Sequence, residues 1–200
     1  MTHQPMLAGL QVVESSLLGP GLVGTFLADL GADVVKVESP TGDYIRQMTW
    51  PIVDGTSLMH LHTHRGKRSV AIDLKAPEGA DLYRDLARRA DVVIEAMRPG
   101  TLARLGLGSD DLRADNERLV FCTVSGYGAT GPYRDLPSHG IAYDTWAGLI
   151  EPVVDDDGFT RIPPLPNIGI NVGPMLAALS ILAAVLDARQ TGRGRDIEVA

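Results

Sequence analysis

Six short apolar runs recur along this chain of 200 residues. Most are separated by a stretch with helical periodicity, and that alternation constrains the fold more than any other feature. The runs are "LQVV" (10–13), "VVKV" (34–37), "SVAIDL" (69–74), "DVVIEAM" (91–97), "RLVFCTV" (118–124) and "RDIEVA" (195–200). Apolar and β-branched residues dominate them, as in strands buried on both faces. Between the first two lies "GPGLVGTFLADLGA" (19–32), with Pro20 at a helix start and Gly31 at its stop. "APEGADLYRDLARRA" (76–90) predicts an amphipathic helix with Leu82 and Leu86 inward and Arg84, Arg88 and Arg89 outward. A helical turn at "TLARLG", a short helix at "SDDLRADN" and a last helix at "PMLAALSILAAVLDAR" complete the set. Residues 39–67, with Pro40, Gly42, Pro51 and Gly55, read as irregular.

Strands alternating with helices imply an α/β fold, a parallel sheet with helices on both faces. Ligands of such sheets sit at the carboxyl ends of the strands. Here those ends are residues 38–40, Lys75, residues 96–100 and residues 125–131. Length and a hydrophobic content of 44% fit one domain with a full core. A net charge of −7 argues against a nucleic-acid partner. It leaves room for one basic pocket. The single cysteine, Cys122, lies in an apolar run, so no disulfide framework exists and a cytoplasmic setting is expected. The first residues lack a basic region followed by an apolar stretch, so no signal peptide is predicted.

Residues 162–186 carry no charge. Pro163, Pro164, Pro166 and Pro174 exclude a lipid-embedded helix over the first half of that stretch. The remaining helix, 175–186, is shorter than the roughly 20 residues a bilayer needs. It is expected to be a buried core helix, with no membrane partner.

Several groups are candidates for chemistry. "HTHRGKR" (62–68) packs Arg65, Lys67 and Arg68 into one loop, either as a solvated face or as a phosphate contact. His62 and His64 alternate as on a strand and, lacking a third ligand at metal spacing, are read as structural or exposed; no metal is expected. Gly19, Gly21 and Gly24 fit G-x-G-x-x-G, and Glu38 follows near the distance at which an acid meets a ribose. That pattern alone would suit a nicotinamide-binding oxidoreductase. Arg98 and Arg104 sit after a strand, where guanidinium groups suit phosphate. His139 follows the glycine-rich "SGYGATGPY" and is either structural or an acid–base group.

Four stretches together resemble the family III CoA-transferases, the CaiB/BaiF-like group that includes 2-methylacyl-CoA racemases. They are "LGPGLVGTFLADLGADVVKVE", "HRGKRSVAIDLKAPEGADLYRDLARRADVVIEAMRPGTLARLG", "VSGYGATGPY" and "AALSILAAVLDARQTGRGRDIEV". The resemblance implies a Rossmann-like large domain spanning 1–200, an acyl-CoA substrate with a carboxylic acid as co-substrate, and no permanently bound cofactor. It also implies an interlocked dimer, or a heteromer with a homologous or C-terminal half. Carried over by position, coenzyme A contacts fall at Leu17, Leu18, Ser39, Lys67, Arg68, Leu74, Lys75, Ala96, Met97, Arg98, Arg104 and Leu105. The smaller domain of the family is absent from these residues, so the chain reads as truncated, split or a fragment. In the transferases an aspartate follows a glycine before the last helix; here Ile170 follows Gly169, flanked by Asn167 and Asn171. The racemases' histidine corresponds to His139. The implied activity is CoA transfer between carboxylic acids, or racemisation of a 2-methylacyl-CoA. Ile170 also opens a reading as a non-catalytic CoA-binding subunit.

Overall fold

A computed structural model describes residues 4–137, 139–162 and 168–200. Pro163, Pro164, Pro166 and Asn167 lie outside the described residues. In chain order the elements are β1 (Gln11–Ser15), α1 (Gly21–Asp29), β2 (Asp33–Glu38), a 3-10 turn (Tyr44–Gln47) and a hairpin of β3 (Ile52–Val53) and β4 (Thr56–Ser57). Then come α2 (Leu58–His64), β5 (Arg68–Ala71), α3 (Pro77–Arg89), β6 (Val92–Glu95), α4 (Thr101–Arg104), α5 (Ser109–Asp115) and β7 (Val120–Val124). The chain closes with α6 (Gly140–Trp146), the hairpin β8 (Val153–Val154) and β9 (Thr160–Arg161), α7 (Gly169–Thr191) and β10 (Asp196–Val199).

Six strands form one sheet in the order β10-β7-β6-β1-β2-β5, every pair parallel. The α/β expectation holds. Alternation along each strand sends successive side chains to opposite faces. Val12, Val34, Ile94 and Cys122 pack under α1 and α7. Val13, Val37, Val93 and Phe121 pack under α3, α4 and α5. Burial pushes the Cys122 thiol up to about 12, so it behaves as a core hydrophobe.

Three readings of the sequence are corrected. Residues 39–67 are ordered: Ser57 caps α2 by accepting from the His60 amide at 3.1 Å. His62 and His64 therefore stand on a helix, where residues two apart face opposite ways; His62 is exposed and His64 buried. On α3 the buried residues are Tyr83 and Ala87, while Leu82 is exposed. Finally, α7 has 23 residues and begins well before Pro174. Pro174 has no N–H to return to Ile170, and the first turn is secured instead by Asn171 and Val172 amides on the Ile168 carbonyl. By length and composition α7 could cross a membrane. One stripe, Ala177, Ala178, Ile181, Ala184, Val185 and Ala188, packs into the core, while Met175, Leu176, Leu179 and Leu186 stay exposed.

Candidate ligand-binding cleft

From β1 the chain winds outward through β2 to β5, then returns to β6 and winds the other way through β7 to β10. The loops after β1 and β6 therefore diverge, leaving a crevice at the carboxyl edge between neighbouring strands. A cavity of about 840 Å³ opens there, walled by residues 17–20, 96–99 and 124–127 and by the first turns of α6 and α7. Of the sequence-predicted residues, it brings together Leu17, Leu18, Ala96, Met97, Arg98, His139 and Ile170. Leu18 enters with φ 53, a left-handed conformation that costs a leucine about 1–2 kcal/mol.

Ser39, Leu74, Lys75, Arg104 and Leu105 follow β2, β5 and β6, so they share this edge without lining the cavity. The Ser39 hydroxyl is engaged in its own turn, with Thr41 at 2.9 Å and the Gly42 carbonyl at 3.1 Å. Leu74 and Leu105 pack onto the core beneath α3 and α4. Lys75, Arg98 and Arg104 have no carboxylate within ion-pair distance among the described residues. Arg98 thus stands unpaired in the cleft beside an apolar, aromatic wall, and Lys75 and Arg104 stand unpaired along the same edge. Trp146 meets Tyr133 and Tyr127 edge-on, with ring centroids 5.0 and 6.1 Å apart.

Lys67 and Arg68 are placed elsewhere. Lys67 precedes β5 and Arg68 opens it, at the amino edge of a parallel sheet. Arg68 pairs with Asp33 at 2.7 Å, and neighbouring Arg65 with Asp29 at 2.5 Å, both on the surface. Lys67 turns inward, its ammonium 2.7 Å from Glu14, with a side chain only 1% exposed. It also donates to the Gly21 carbonyl at 2.5 Å and lies 3.2 Å from His64 Nδ1. None of the three cations of the "RGKR" loop reaches the cleft.

Lys67 belongs to a buried polar network between α1, α2 and the sheet. Lys36 pairs with Asp43 at 3.0 Å, and His64 Nε2 lies 3.3 Å from the same carboxylate. Burial, then the neighbouring Arg46 and His64 charges, lowers His60 to about 4; burial likewise lowers His64. Burial alone would raise Glu38, but hydrogen bonds from Arg46, Ser69 and the Asp43 amide hold it near 2. The glycine pattern is explained here as well. A Cβ at Gly21 would strike His64, and one at Gly24 would strike Glu14. Those glycines admit close packing, and Glu38 is bonded to Arg46, whereas Gly19 lines the cleft.

The cleft's floor holds a residue that sequence spacing did not single out. Asp144 Oδ1 accepts from the Gly169 amide at 2.8 Å, capping α7 from α6, and the residue is 1% exposed. The two positions are 25 apart in sequence, so no local pattern links them. Next to this cap stands Ile170, whose side chain packs against Gly19. An isoleucine offers no lone pair and no titratable proton.

A doubly wound sheet with an apolar cleft at its switch point and unpaired cations along the same edge defines an α/β protein of the kind that binds ligands beyond its strand ends. The chain belongs to CoA-transferase family III, whose family model matches residues 7–200. It is 38% identical to succinate–glutarate CoA-transferase of Agrobacterium fabrum over 99% of this chain and 51% of that protein. It is 36% identical to the beta subunit of succinyl-CoA–L-malate CoA-transferase of Chloroflexus aurantiacus, over 97% of this chain and 48% of that one. A crystal structure of a CAIB/BAIF family protein from Brucella suis superposes with a TM-score of 0.89 at 34% identity, covering 99% of this chain and 53% of that chain. The chain spans about half the length of the curated relatives it matches.

Proposed function

We propose that these residues form the large, coenzyme A-binding domain of a family III CoA-transferase, holding an acyl-CoA that exchanges its CoA with a carboxylic acid. The observation that carries this reading is the pairing of unneutralised Lys75, Arg98 and Arg104 with an apolar cleft at the switch point. Phosphates favour the cations through charge-assisted hydrogen bonds, and an acyl-pantetheine arm favours the apolar wall. In this reading the adenosine diphosphate end lies toward Lys75 and Arg104, and Leu17, Leu18, Ala96 and Met97 flank the arm.

On this reading the carboxylate step falls to another chain, because Ile170 offers no carboxylate. The acid bonded to Gly169, Asp144, is buried and holds the α7 amide, so it is not presented to the cleft as an exposed carboxylate. The reading is therefore of a subunit that works with an aspartate-bearing homologue in the cytoplasm; a relative named as a beta subunit supports it. The exposed apolar side of α7 supports it too, because such patches mark surfaces that meet other chains or domains. His139, exposed on the cleft wall, favours one second reading: a proton shift at C2 of a 2-methylacyl-CoA.

Calorimetry with coenzyme A and with NADH tests the binding claim. Binding of coenzyme A but not NADH is expected, and the reverse would overturn it. Incubation with an acyl-CoA, hydroxylamine trapping and intact mass measurement should show no adduct on this chain alone. A hydroxamate on any carboxylate would defeat the assignment of the carboxylate step to a partner.

A further inference from the structure

Asp43, His60 and His64 converge in the interior, their ligating atoms within 4.8 Å of one another and all three residues buried. A carboxylate with two neutral imidazoles is the donor set of a divalent metal site. The sequence hides it, because Asp43 stands some twenty residues from either histidine. Yet the place beside the carboxylate is filled. The Lys36 ammonium lies 3.0 Å from Asp43 Oδ2, and the Lys67 ammonium is 3.2 Å from the other nitrogen of His64. Two ammonium charges against the ligands oppose a further divalent charge, all the more in a low-dielectric interior. Lys36 is the resident cation of this cluster.

What Lys36 does from that position is decided by its other contact. Its ammonium donates to the Ser16 carbonyl at 2.5 Å, one residue beyond the end of β1. The Ser16 hydroxyl donates in turn to Glu14 Oε1 at 2.5 Å. Ser16 is thus gripped at both its carbonyl and its side chain, and it is 1% exposed. The residues that follow are Leu17, Leu18 with its φ of 53, Gly19 and Pro20, which form one wall of the cleft. A leucine holds a left-handed conformation only where its surroundings impose it. Without the ammonium, the Ser16 carbonyl would be buried with that donor lost, and the peptide plane would be free to turn.

We propose that Lys36 is a positioning residue of the cleft: its ammonium fixes the Ser16 carbonyl and so holds the loop 17–20 in its ligand-facing form. The ligand arm of the test rests on the coenzyme A reading above; the exchange arm does not.

The experiment compares Lys36→Met with Asp43→Asn by hydrogen–deuterium exchange mass spectrometry and coenzyme A calorimetry. Lys36→Met removes the donor to Ser16, whereas Asp43→Asn breaks the ion pair and leaves that donor in place. Exchange in a peptide spanning 16–21 should rise at least tenfold in Lys36→Met, with β6 and β7 peptides unchanged, and coenzyme A affinity should fall at least fivefold. Asp43→Asn should keep the 16–21 protection and the affinity within twofold of wild type, even at a lower melting temperature. Wild-type protection of 16–21 in Lys36→Met would overturn the proposal, as would equal loss in both variants. If Lys36→Met does not fold, Lys36→Arg, which keeps the charge but moves the donor, is read by the same outcomes. A wild type that binds no coenzyme A would sink the proposed function alone, since the exchange result still decides the role of Lys36.

Discussion

Two groups of basic side chains occupy this molecule, and they differ in whether their charge is matched. Behind α1 and α2, Lys36 and Lys67 are buried against Asp43 and Glu14, and Arg65 and Arg68 close surface pairs with Asp29 and Asp33. Along the carboxyl edge, Lys75, Arg98 and Arg104 meet no carboxylate among the described residues. The first group is the denser in sequence and the second the more available in space. Charge density along a chain therefore says little about ligand binding. What matters is whether the fold supplies each cation with an internal partner.

The largest test of that contrast removes one member of a buried pair. Glu14→Gln should leave the Lys67 ammonium uncompensated and lower unfolding free energy by roughly 3–5 kcal/mol in urea denaturation. Replacing both partners with methionine should lose much less, because no unpaired charge then remains. A loss below about 1 kcal/mol for Glu14→Gln would mean that the pair is effectively solvated.

Acid should act on the same region. His60 is held at about 4 against an ordinary 6.5, so the unfolded chain binds more protons throughout that interval. Stability then rises with pH there, and it should fall as pH drops through 6.5, with the loss complete near 4. The His60 contribution is on the order of 2–3 kcal/mol. Glu38, held near 2, carries the same sign and adds its own loss below its ordinary 4.5. His60→Ala should flatten the upper part of that profile in thermal melts across pH.

The open group should respond in binding and not in stability. Arg104→Ala is expected to weaken coenzyme A by roughly 1.5–3 kcal/mol, or about 10- to 150-fold in Kd, with unfolding free energy nearly unchanged. Smallest of all, Arg68→Ala should cost about 0.2–1 kcal/mol of stability and leave coenzyme A affinity untouched. A large affinity loss there would return the "RGKR" loop to the site and erase the contrast.

Much of the architecture was legible before any coordinates. The inner strands announced themselves by apolar runs, because strands covered on both faces admit few polar residues, whereas the edge strands β5 and β10 stay largely exposed. Strand–helix alternation pointed to the carboxyl edge of the sheet, and the cleft found there is lined by Leu17, Leu18, Ala96, Met97, Arg98 and His139. The residues that went astray were those whose partners are distant. His64 was left between a structural and an exposed role because Asp43, 21 positions earlier, is invisible to local spacing. Leu82 looked inward because apolar spacing does not distinguish a leucine from the tyrosine beside it, and Tyr83 fills the gap under α3 completely.

By itself, then, the sequence determined the class of fold, the edge at which the cleft opens, and the isoleucine that follows Gly169. These depend on side-chain periodicity and residue identity, which are local. Tertiary structure alone decided which cations are free, that Gly21 and Gly24 exist for His64 and Glu14, and that Asp144 caps α7. Each of those facts is a pairing across long separations, set by how helices dock on a twisted sheet. A charge's availability depends on its nearest opposite charge, and only the folded chain specifies that distance.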